Sequence, residues 1–206
     1  VNRYAHLENL SNSEFLTDIE KKMDILYKKA FVQSRSYDEV TVLAKRTGEM
    51  ASCVPAIPPV QLDNTRLTST FGLRTDPFTK RPKMHQGVDF AGSVGEPIYA
   101  PGNGKVVEVS FNFFGYGREV IIDHGFGYKT RYAHLHEIHV KEGDMVERGQ
   151  QIGSMGSSGR SSGCHLHYEV LYKNGRVNPL NYYNSDVKGN EYVSMVRPKE
   201  KDDDVV

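Results

Sequence analysis

The sequence predicts a mainly β domain that follows a short helical region. Between residues 67 and 183, short runs of β-branched and aromatic residues alternate with glycine-containing turns. Many short strands at this spacing indicate an antiparallel sandwich or an open barrel. The first 52 residues instead show helical spacing, and three prolines between positions 54 and 60 separate the two regions. The predicted divisions are a helical arm (1–52), a proline-rich linker (53–66), a β domain (67–184) and a charged tail (185–206).

The helical arm carries one apolar stripe and two start signals. Its apolar residues recur at intervals of three or four, which is one face of a helix: Phe15, Ile19, Met23, Leu26 and Ala30. Ser11 with Glu14, and Ser36 with Glu39, have the spacing of capping boxes, in which the two side chains satisfy free backbone amides. Two starts predict two helices, and therefore a small N-terminal helical hairpin. Packing of the stripe on the neighbouring domain is favoured over a dimerising or substrate-gating arm.

Charge and composition argue against some classes of protein. Lys+Arg and Asp+Glu both number 26 in the 206 residues, so the net charge is zero, which argues against nucleic-acid binding. No run of about 18 apolar residues occurs, so nothing in the chain predicts a membrane-spanning helix. The two cysteines, Cys53 and Cys164, permit one disulfide without requiring it.

The first cluster with metal-binding chemistry is His85 with Asp89, separated by a short stretch that contains Gly87. In a straight strand the two Cα atoms would lie about 13 Å apart, too far for one metal ion. A bend at the glycine would bring both side chains to one ion. Taken alone, the pattern fits a metal site and a surface histidine beside a turn aspartate about equally well.

The second cluster, His165 with His167, opens a strongly predicted strand. Alternation places both imidazoles on one face with Cα atoms about 6.7 Å apart, which suits a metal ligand beside an acid or base. A polar, solvated strand face is the less favoured alternative. A third pair, His134 and His136, is likewise spaced to share a strand face, although a histidine there is more often an ordinary hydrogen-bonded residue.

Zinc chemistry connects these clusters. Catalytic zinc takes three protein ligands and keeps the fourth position for water, whose pKa it lowers. A histidine is suited near neutral pH to take the water proton and pass it to the leaving amine. The HExxH helix of many metalloproteases is absent from the sequence, which excludes a glutamate base of that kind.

In this order, the three clusters closely resemble the pattern of the lysostaphin/LytM-type zinc metallopeptidases, which are peptidoglycan endopeptidases. The hallmark of that family is HxxxD followed far downstream by HxH, found here as His85 to Asp89 and His165 to His167. Further pieces of the pattern surround the clusters: Phe71-Gly72-x-Arg74, Asp76-Pro77-Phe78-Thr79, Gly95-Glu96-Pro97-Ile98-Tyr99-Ala100 and Asn178-Pro179-Leu180. The resemblance covers residues 67–183. It implies a two-sheet antiparallel β fold, with the duplicated hybrid motif of LytM-like domains and a site in a groove.

The resemblance also implies roles for five residues. His85, Asp89 and His167 would hold one zinc ion per chain, and His134 and His165 would be catalytic. His165 would act as general base toward a metal-activated water, and His134 would hold or protonate the tetrahedral intermediate. The implied function is that of a zinc metalloendopeptidase that hydrolyses peptide bonds of bacterial peptidoglycan, in cross-links or stem peptides, during cell-wall remodelling.

The implied place of action is the extracytoplasmic side of the bacterial envelope, in the periplasm or anchored to the membrane and facing the wall. The helical arm and the start at Val1 resemble envelope-anchored members, so an anchor upstream of the given chain and an envelope regulatory protein are expected besides peptidoglycan. The alternative function is a catalytically inactive envelope module that binds and activates another wall hydrolase. Degenerate members of that kind lack one or more of the five residues, and all five are present here.

Overall fold

The computed structural model describes residues 12–182. Contacts divide the chain into two compact units at the bond between Glu49 and Met50. Most of one long helix belongs to the first unit, and the thirteen strands of this part of the chain belong to the second. The predicted charged tail and Ser11, which opens the first predicted capping box, lie outside the described residues.

Helix α1 runs through Ser13–Cys53, 41 residues without a break. The predicted helical hairpin is therefore wrong, because the second start signal, at Ser36, lies inside one continuous helix. Residues 14–47 contain no glycine or proline that would end a helix. Hydroxyl groups along α1 also find partners within it, since the side chain of Thr41 donates to the carbonyl oxygen of Tyr37. Capping-box spacing alone therefore does not start a second helix here.

Helix α1 has no buried face. No residue of the helix is buried, and Phe15, Met23 and Leu26 of the predicted stripe are each more than half exposed. In the described range of the chain, no helix combines the length and the apolar character that crossing a membrane requires. The role of the predicted arm stays a prediction.

The second unit consists of short strands joined by tight turns, as the glycine-containing turns of the sequence predict. The strands are β1 (Arg66–Ser69), β2 (Gly72–Thr75), β3 (Pro82–His85), β4 (Val88–Ala91), β5 (Pro97–Tyr99), β6 (Gly104–Asn112), β7 (Gly117–Gly125), β8 (Tyr128–Ala133), β9 (Leu135–Ile138), β10 (Met145–Val146), β11 (Gln151–Met155), β12 (His165–Tyr172) and β13 (Gly175–Val177). A 3₁₀ turn at Pro179–Asn181 follows the last strand, and the Asn178 side chain caps it.

All strand pairs are antiparallel, and they form two sheets and a ribbon. The main sheet has eight strands in the order β1-β4-β12-β8-β7-β6-β10, with β13 paired to β12. A smaller sheet has the order β5-β11-β9, and β2 with β3 forms a two-stranded ribbon. The predicted mainly β, antiparallel fold is confirmed, and the sheets stay open rather than closing into a barrel.

The core fills the space between the sheets with alternate residues of their strands. Fully buried apolar side chains come from both sheets, and the largest are Phe90, Ile98, Ile122, Tyr132, Leu135, Ile152, Met155, Leu166 and Tyr168. In β12 the alternation is direct, because Leu166 and Tyr168 enter this core while His165 and His167 face the other way. Burial of Leu166 and Tyr168 in the core thus fixes the register of β12, the strand that carries the HxH motif, against its neighbours.

The proline-rich residues after α1 pack on the β domain. Ile57 and Val60 are buried, and the carbonyl oxygen of Pro59 accepts a hydrogen bond from the Tyr99 amide at 2.8 Å. Both cysteines are free thiols, so the permitted disulfide is not formed.

Candidate functional site

The five predicted site residues line one groove of about 480 Å³ on the second unit. They come from different elements: His85 ends β3, Asp89 lies in β4, His134 lies between β8 and β9, and His165 and His167 belong to β12. The pairing of β12 with β4 puts His167 directly opposite Asp89. Asp89 and His167, 78 positions apart in sequence, therefore meet because β4 and β12 are in register, and His85 reaches them from strand β3 of the two-stranded ribbon.

His85, Asp89 and His167 form a compact buried cluster. The Nδ1 atom of His167 lies 2.8 Å from Asp89 Oδ1 and 3.1 Å from His85 Nε2. The third side of the triangle, from His85 Nε2 to Asp89 Oδ1, measures 3.2 Å. Three ligand atoms thus converge on one point.

This cluster fits a tetrahedral zinc ion. Ligands at zinc bond lengths of 2.0–2.2 Å and tetrahedral angles lie about 3.3–3.6 Å apart, close to the sides of this triangle. Two imidazole nitrogens and one carboxylate oxygen are a common donor set of catalytic zinc, with one position left for water. The prediction that these three residues hold the metal remains a prediction, and the geometry of the three atoms supports it.

The bend that brings His85 and Asp89 together depends on Gly87. A Cβ atom at this position would overlap the carbonyl oxygen of Tyr168 in β12. A side chain would therefore push the turn between β3 and β4 away from the strand that carries His167. The glycine of the HxxxD segment is needed for close approach of two backbones.

Two of the three predicted ligands are held in place by groups on the far side of the cluster. The Nδ1–H group of His85 donates to the carbonyl oxygen of Thr70 at 2.8 Å, which leaves Nε2 with its lone pair toward the cluster. Asp89 keeps Oδ1 toward the histidines while Arg74 donates to Oδ2 at 3.0 Å. Such outer partners fix the orientation of a metal ligand and its tautomer.

The third ligand, His167, is held by Glu169. Its Nε2 lies 3.1 Å from Glu169 Oε1, and Tyr116 stacks on its ring with centroids 5.6 Å apart. Burial by itself would lower the pKa of His167, but the hydrogen bonds to Asp89 and Glu169 outweigh it and raise the pKa. Glu169 shows the complementary shift: burial opposes its charge, yet hydrogen bonds from His167 and Tyr116 bring its pKa down to about 2.

Asp89 is an anion in spite of its burial. Desolvation raises the pKa of its carboxyl, but the close contacts with the His167 and His85 imidazoles have a larger combined effect and bring it below its ordinary value. The cluster thus supplies a carboxylate to a cation throughout the neutral range.

His134 is oriented by a loop rather than by a strand. Its backbone has φ of +64°, the left-handed region that non-glycine residues seldom adopt, and its Nδ1–H donates to the carbonyl oxygen of Ser158 at 2.7 Å. Nε2 is therefore a hydrogen-bond acceptor. Burial is the largest cause that lowers the pKa of His134, and the positive charge of His165 or His167 adds to it, which brings the value to about 4. His134 is neutral at physiological pH.

His165 is oriented in the same way. Its Nδ1–H donates to the carbonyl oxygen of Gly163 at 2.8 Å, so Nε2 is again a free acceptor. The rings of His165 and His134 lie 4.7 Å apart between centroids. The groove thus holds the imidazoles of His134 and His165 together with the cluster of His85, Asp89 and His167. His136, which shares the spacing of His134, is exposed on β9 and does not line the groove.

Sequence reasoning missed the groups that hold the five residues. Glu169 had a usable signal, because His165, His167 and Glu169 alternate along one strand and must share a face. Arg74 was noticed only as part of the resemblance. The acceptors at Thr70, Ser158 and Gly163 are backbone carbonyls, which no residue pattern marks.

Comparison with known proteins agrees with this geometry. Residues 83–179 match the model of Peptidase family M23. The peptidoglycan DD-endopeptidase ShyB of Vibrio cholerae is 43% identical over 123 residues, which are 59% of this chain and 29% of ShyB. The chain therefore spans less than a third of that relative.

Two solved structures are also similar. A zinc-containing peptidase from Vibrio cholerae is 44% identical with a TM-score of 0.55, and the match covers 58% of this chain and 37% of that one. The catalytic domain of lysostaphin from Staphylococcus simulans is 31% identical with a TM-score of 0.54, and the match covers 59% of this chain and 93% of that domain. The resemblance to lysostaphin/LytM-type peptidases is confirmed. With its HxxxD and HxH segments facing each other in one groove, this chain belongs to peptidase family M23.

Proposed function

We propose that this protein is a zinc-dependent endopeptidase that hydrolyses peptide bonds of bacterial peptidoglycan. The observation that carries the proposal is the meeting of a His85–Asp89–His167 cluster with two oriented histidines, His134 and His165, in one groove. The relatives support the substrate, since ShyB is a peptidoglycan DD-endopeptidase and a similar solved structure is a zinc-containing peptidase.

His85, Asp89 and His167 would hold the zinc ion. A zinc ion at this site supplies Lewis acidity, which acidifies a water molecule and polarises the scissile carbonyl. The buried carboxylate and two imidazoles offset part of its charge, and Arg74 keeps Asp89 in place.

His165 is the group best placed to take a proton from the attacking water, because its Nε2 is an unprotonated acceptor beside the cluster. His134 also holds Nε2 as an acceptor, and its low pKa keeps it neutral in the resting state. It can therefore protonate the leaving amine only after it has received a proton. One proton thus moves from water to a histidine and then to the amine, while the C–N bond breaks and the acid product forms.

The proposed substrate places the activity in the bacterial cell envelope, outside the cytoplasm. The D,D cross-link is the first bond to test, because ShyB is named for it. An upstream membrane anchor and an envelope regulatory protein stay predictions from the sequence.

The test is digestion of purified cross-linked muropeptides by the zinc-loaded chain, with the products identified by mass spectrometry. Cleavage to monomers that stops with a chelator and returns with zinc is expected. Zinc-loaded protein that leaves cross-linked dimers, stem peptides and intact sacculi uncut would contradict the proposal and favour the inactive activator. His136→Ala, an exposed histidine near the groove, is the matched control and should cleave normally.

A further inference from the structure

We propose that Glu169 is a positioning residue, which holds the proton of His167 on Nε2 and so keeps the Nδ1 lone pair directed at the metal position. The inference rests on the proposed zinc function, and it adds a residue to the machinery of that site. Glu169 itself contributes no atom to the ligand triangle and does not line the groove: its side chain is 0% exposed and contacts the Nε2 side of His167.

Three of the four histidines that line the groove share one arrangement. Each of His85, His134 and His165 turns one ring nitrogen away from the site and donates its proton to a backbone carbonyl oxygen. A carbonyl oxygen can only accept, so the tautomer of each of these three rings is determined. His167 is the exception, because the acceptor behind it is the side-chain carboxylate of Glu169.

The two oxygens of Glu169 have separate partners. Oε1 lies 3.1 Å from His167 Nε2 and accepts a 2.7 Å hydrogen bond from the Tyr116 hydroxyl. Oε2 accepts from Arg176 Nε at 3.0 Å and from an Arg131 guanidinium nitrogen at 3.4 Å. An ionised carboxylate can only accept hydrogen bonds. His167 must therefore present an N–H group to it, as the other three partners do. A buried carboxylate with four donors has one stable orientation.

Surrounding groups hold this arrangement rigid. Arg131 lies between two buried carboxylates, with its Nε 3.1 Å from Glu119 Oε2 in an ion pair that lacks hydrogen-bond alignment. The same guanidinium lies 4.6 Å from the centroid of the Tyr116 ring, and Tyr116 in turn stacks on His167. Glu169 is thus the point at which this network touches a metal ligand.

The variant Glu169→Gln replaces the acceptor that faces His167 Nε2 with a donor and changes the shape of the side chain little. Two arginines face the position of Oε2 and offer only donors, so the amide oxygen of the glutamine must turn toward them. Its NH₂ group then faces His167 Nε2 and favours the tautomer with the proton on Nδ1. That tautomer has no lone pair toward the metal.

The first measurement is zinc affinity, by competition with a chromogenic chelator in the absence of substrate. Glu169→Gln should bind zinc about 10- to 100-fold more weakly than the wild-type chain, the usual effect of losing an outer partner of a metal ligand. The control is Glu108→Gln, an exposed glutamate that bonds to Ser110 and contacts neither Arg131 nor Glu169, which should change affinity by less than about twofold. Equal losses in both variants, or none in Glu169→Gln, would overturn the inference.

The second measurement needs no variant to fold. Long-range ¹H–¹⁵N spectra of the zinc-loaded wild-type protein should show the His167 proton on Nε2. A proton on Nδ1 would overturn the inference regardless of any mutant. In Glu169→Gln the Nδ1-protonated form should appear.

These outcomes separate the two proposals. Failure of the wild-type chain to bind zinc would contradict the proposed function. Tight zinc binding and cleavage by the wild-type chain, together with normal zinc affinity in Glu169→Gln, would contradict only the role of Glu169.

Discussion

The two sides of the groove are held by different kinds of structure. On the metal side, His85, Asp89 and His167 lie on paired strands, and β12 places His167 opposite Asp89 in register. On the other side, His134 lies between two strands with a left-handed backbone, and the loop of residues 157–164 supplies its acceptor. Strand pairing positions Asp89, His167 and His165, whereas carbonyl oxygens of the loop determine the tautomers of His134 and His165. Substitutions in the His85–Asp89–His167 cluster should therefore weaken zinc binding, whereas substitutions of His134 and His165 should lower activity with zinc retained.

The largest effect is expected from Asp89→Ala. The variant removes the one carboxylate of the predicted ligand set, which faces His85 Nε2 and His167 Nδ1. Since loss of an outer partner weakens metal binding by about 10- to 100-fold, loss of a direct ligand should exceed about 100-fold and abolish cleavage. The zinc that stays bound to the variant is measured by metal analysis after dialysis. Glu137→Ala removes an exposed carboxylate and should retain zinc, and full occupancy in Asp89→Ala would exclude Asp89 as a ligand.

The catalytic side should lose activity without losing metal. His165→Ala and His134→Ala each remove one predicted acid–base group and leave the ligand triangle intact, so kcat should fall by about 10²- to 10⁴-fold. Zinc content and cleavage of the same muropeptide, measured side by side, provide the comparison. His136→Ala is the exposed control. Loss of zinc in His165→Ala or His134→Ala would mean that the substituted histidine is a metal ligand rather than an acid–base group.

A smaller effect is expected from the loop that orients His134. Gly159 has φ of +71°, and a Cβ there would collide with the backbone of Gly117, so alanine must displace the neighbouring Ser158 carbonyl. Gly159→Ala should lower kcat by about 10- to 100-fold, as small misplacements of catalytic groups do, with zinc retained. Gly143→Ala has a similar left-handed backbone in open space and should reduce stability by about 1–2 kcal/mol without changing kcat. Equal kinetics in the two variants would show that the loop does not position His134.

The sequence predicted the β domain and the five groove residues better than it predicted the helix. Strands and their turns have local signals, and the spacing of HxH fixes which side chains share a face of β12. The break proposed at Ser36 failed because its signal, a serine three residues before a glutamate, is also compatible with the interior of a helix. An uninterrupted run without glycine or proline was the better guide to the length of α1.

The orienting groups could not be predicted in the same way. The Thr70 and Ser158 carbonyls act through backbone position, which depends on where strands and loops meet in space. Glu169 was visible in the alternation of β12, but its function depends on donors from other strands, Arg131 and Tyr116 among them. Local pattern thus identifies reactive side chains, whereas their tautomers depend on tertiary contacts.

The smallest predicted effect is a difference in pH dependence between the two sides in the metal-free protein. Burial lowers the pKa of His134 from 6.5 to about 4, so between these values the unfolded chain binds a proton that the folded chain does not. Stability should fall as pH falls through this window, with a contribution of up to about 1.4 kcal/mol per pH unit. The effect of His167 on stability has the opposite sign, because its pKa is raised. Its contribution to the free energy of unfolding is complete below pH 6.5 and is lost as pH rises through the raised pKa. Urea unfolding of the wild type and His134→Ala between pH 4 and 8 separates the contributions of His134 and His167. In the variant, the dependence of unfolding free energy on pH should flatten only below pH 6.5. An NMR titration of His134 near 6.5, or unchanged slopes, would show that this ring is not held neutral by its burial.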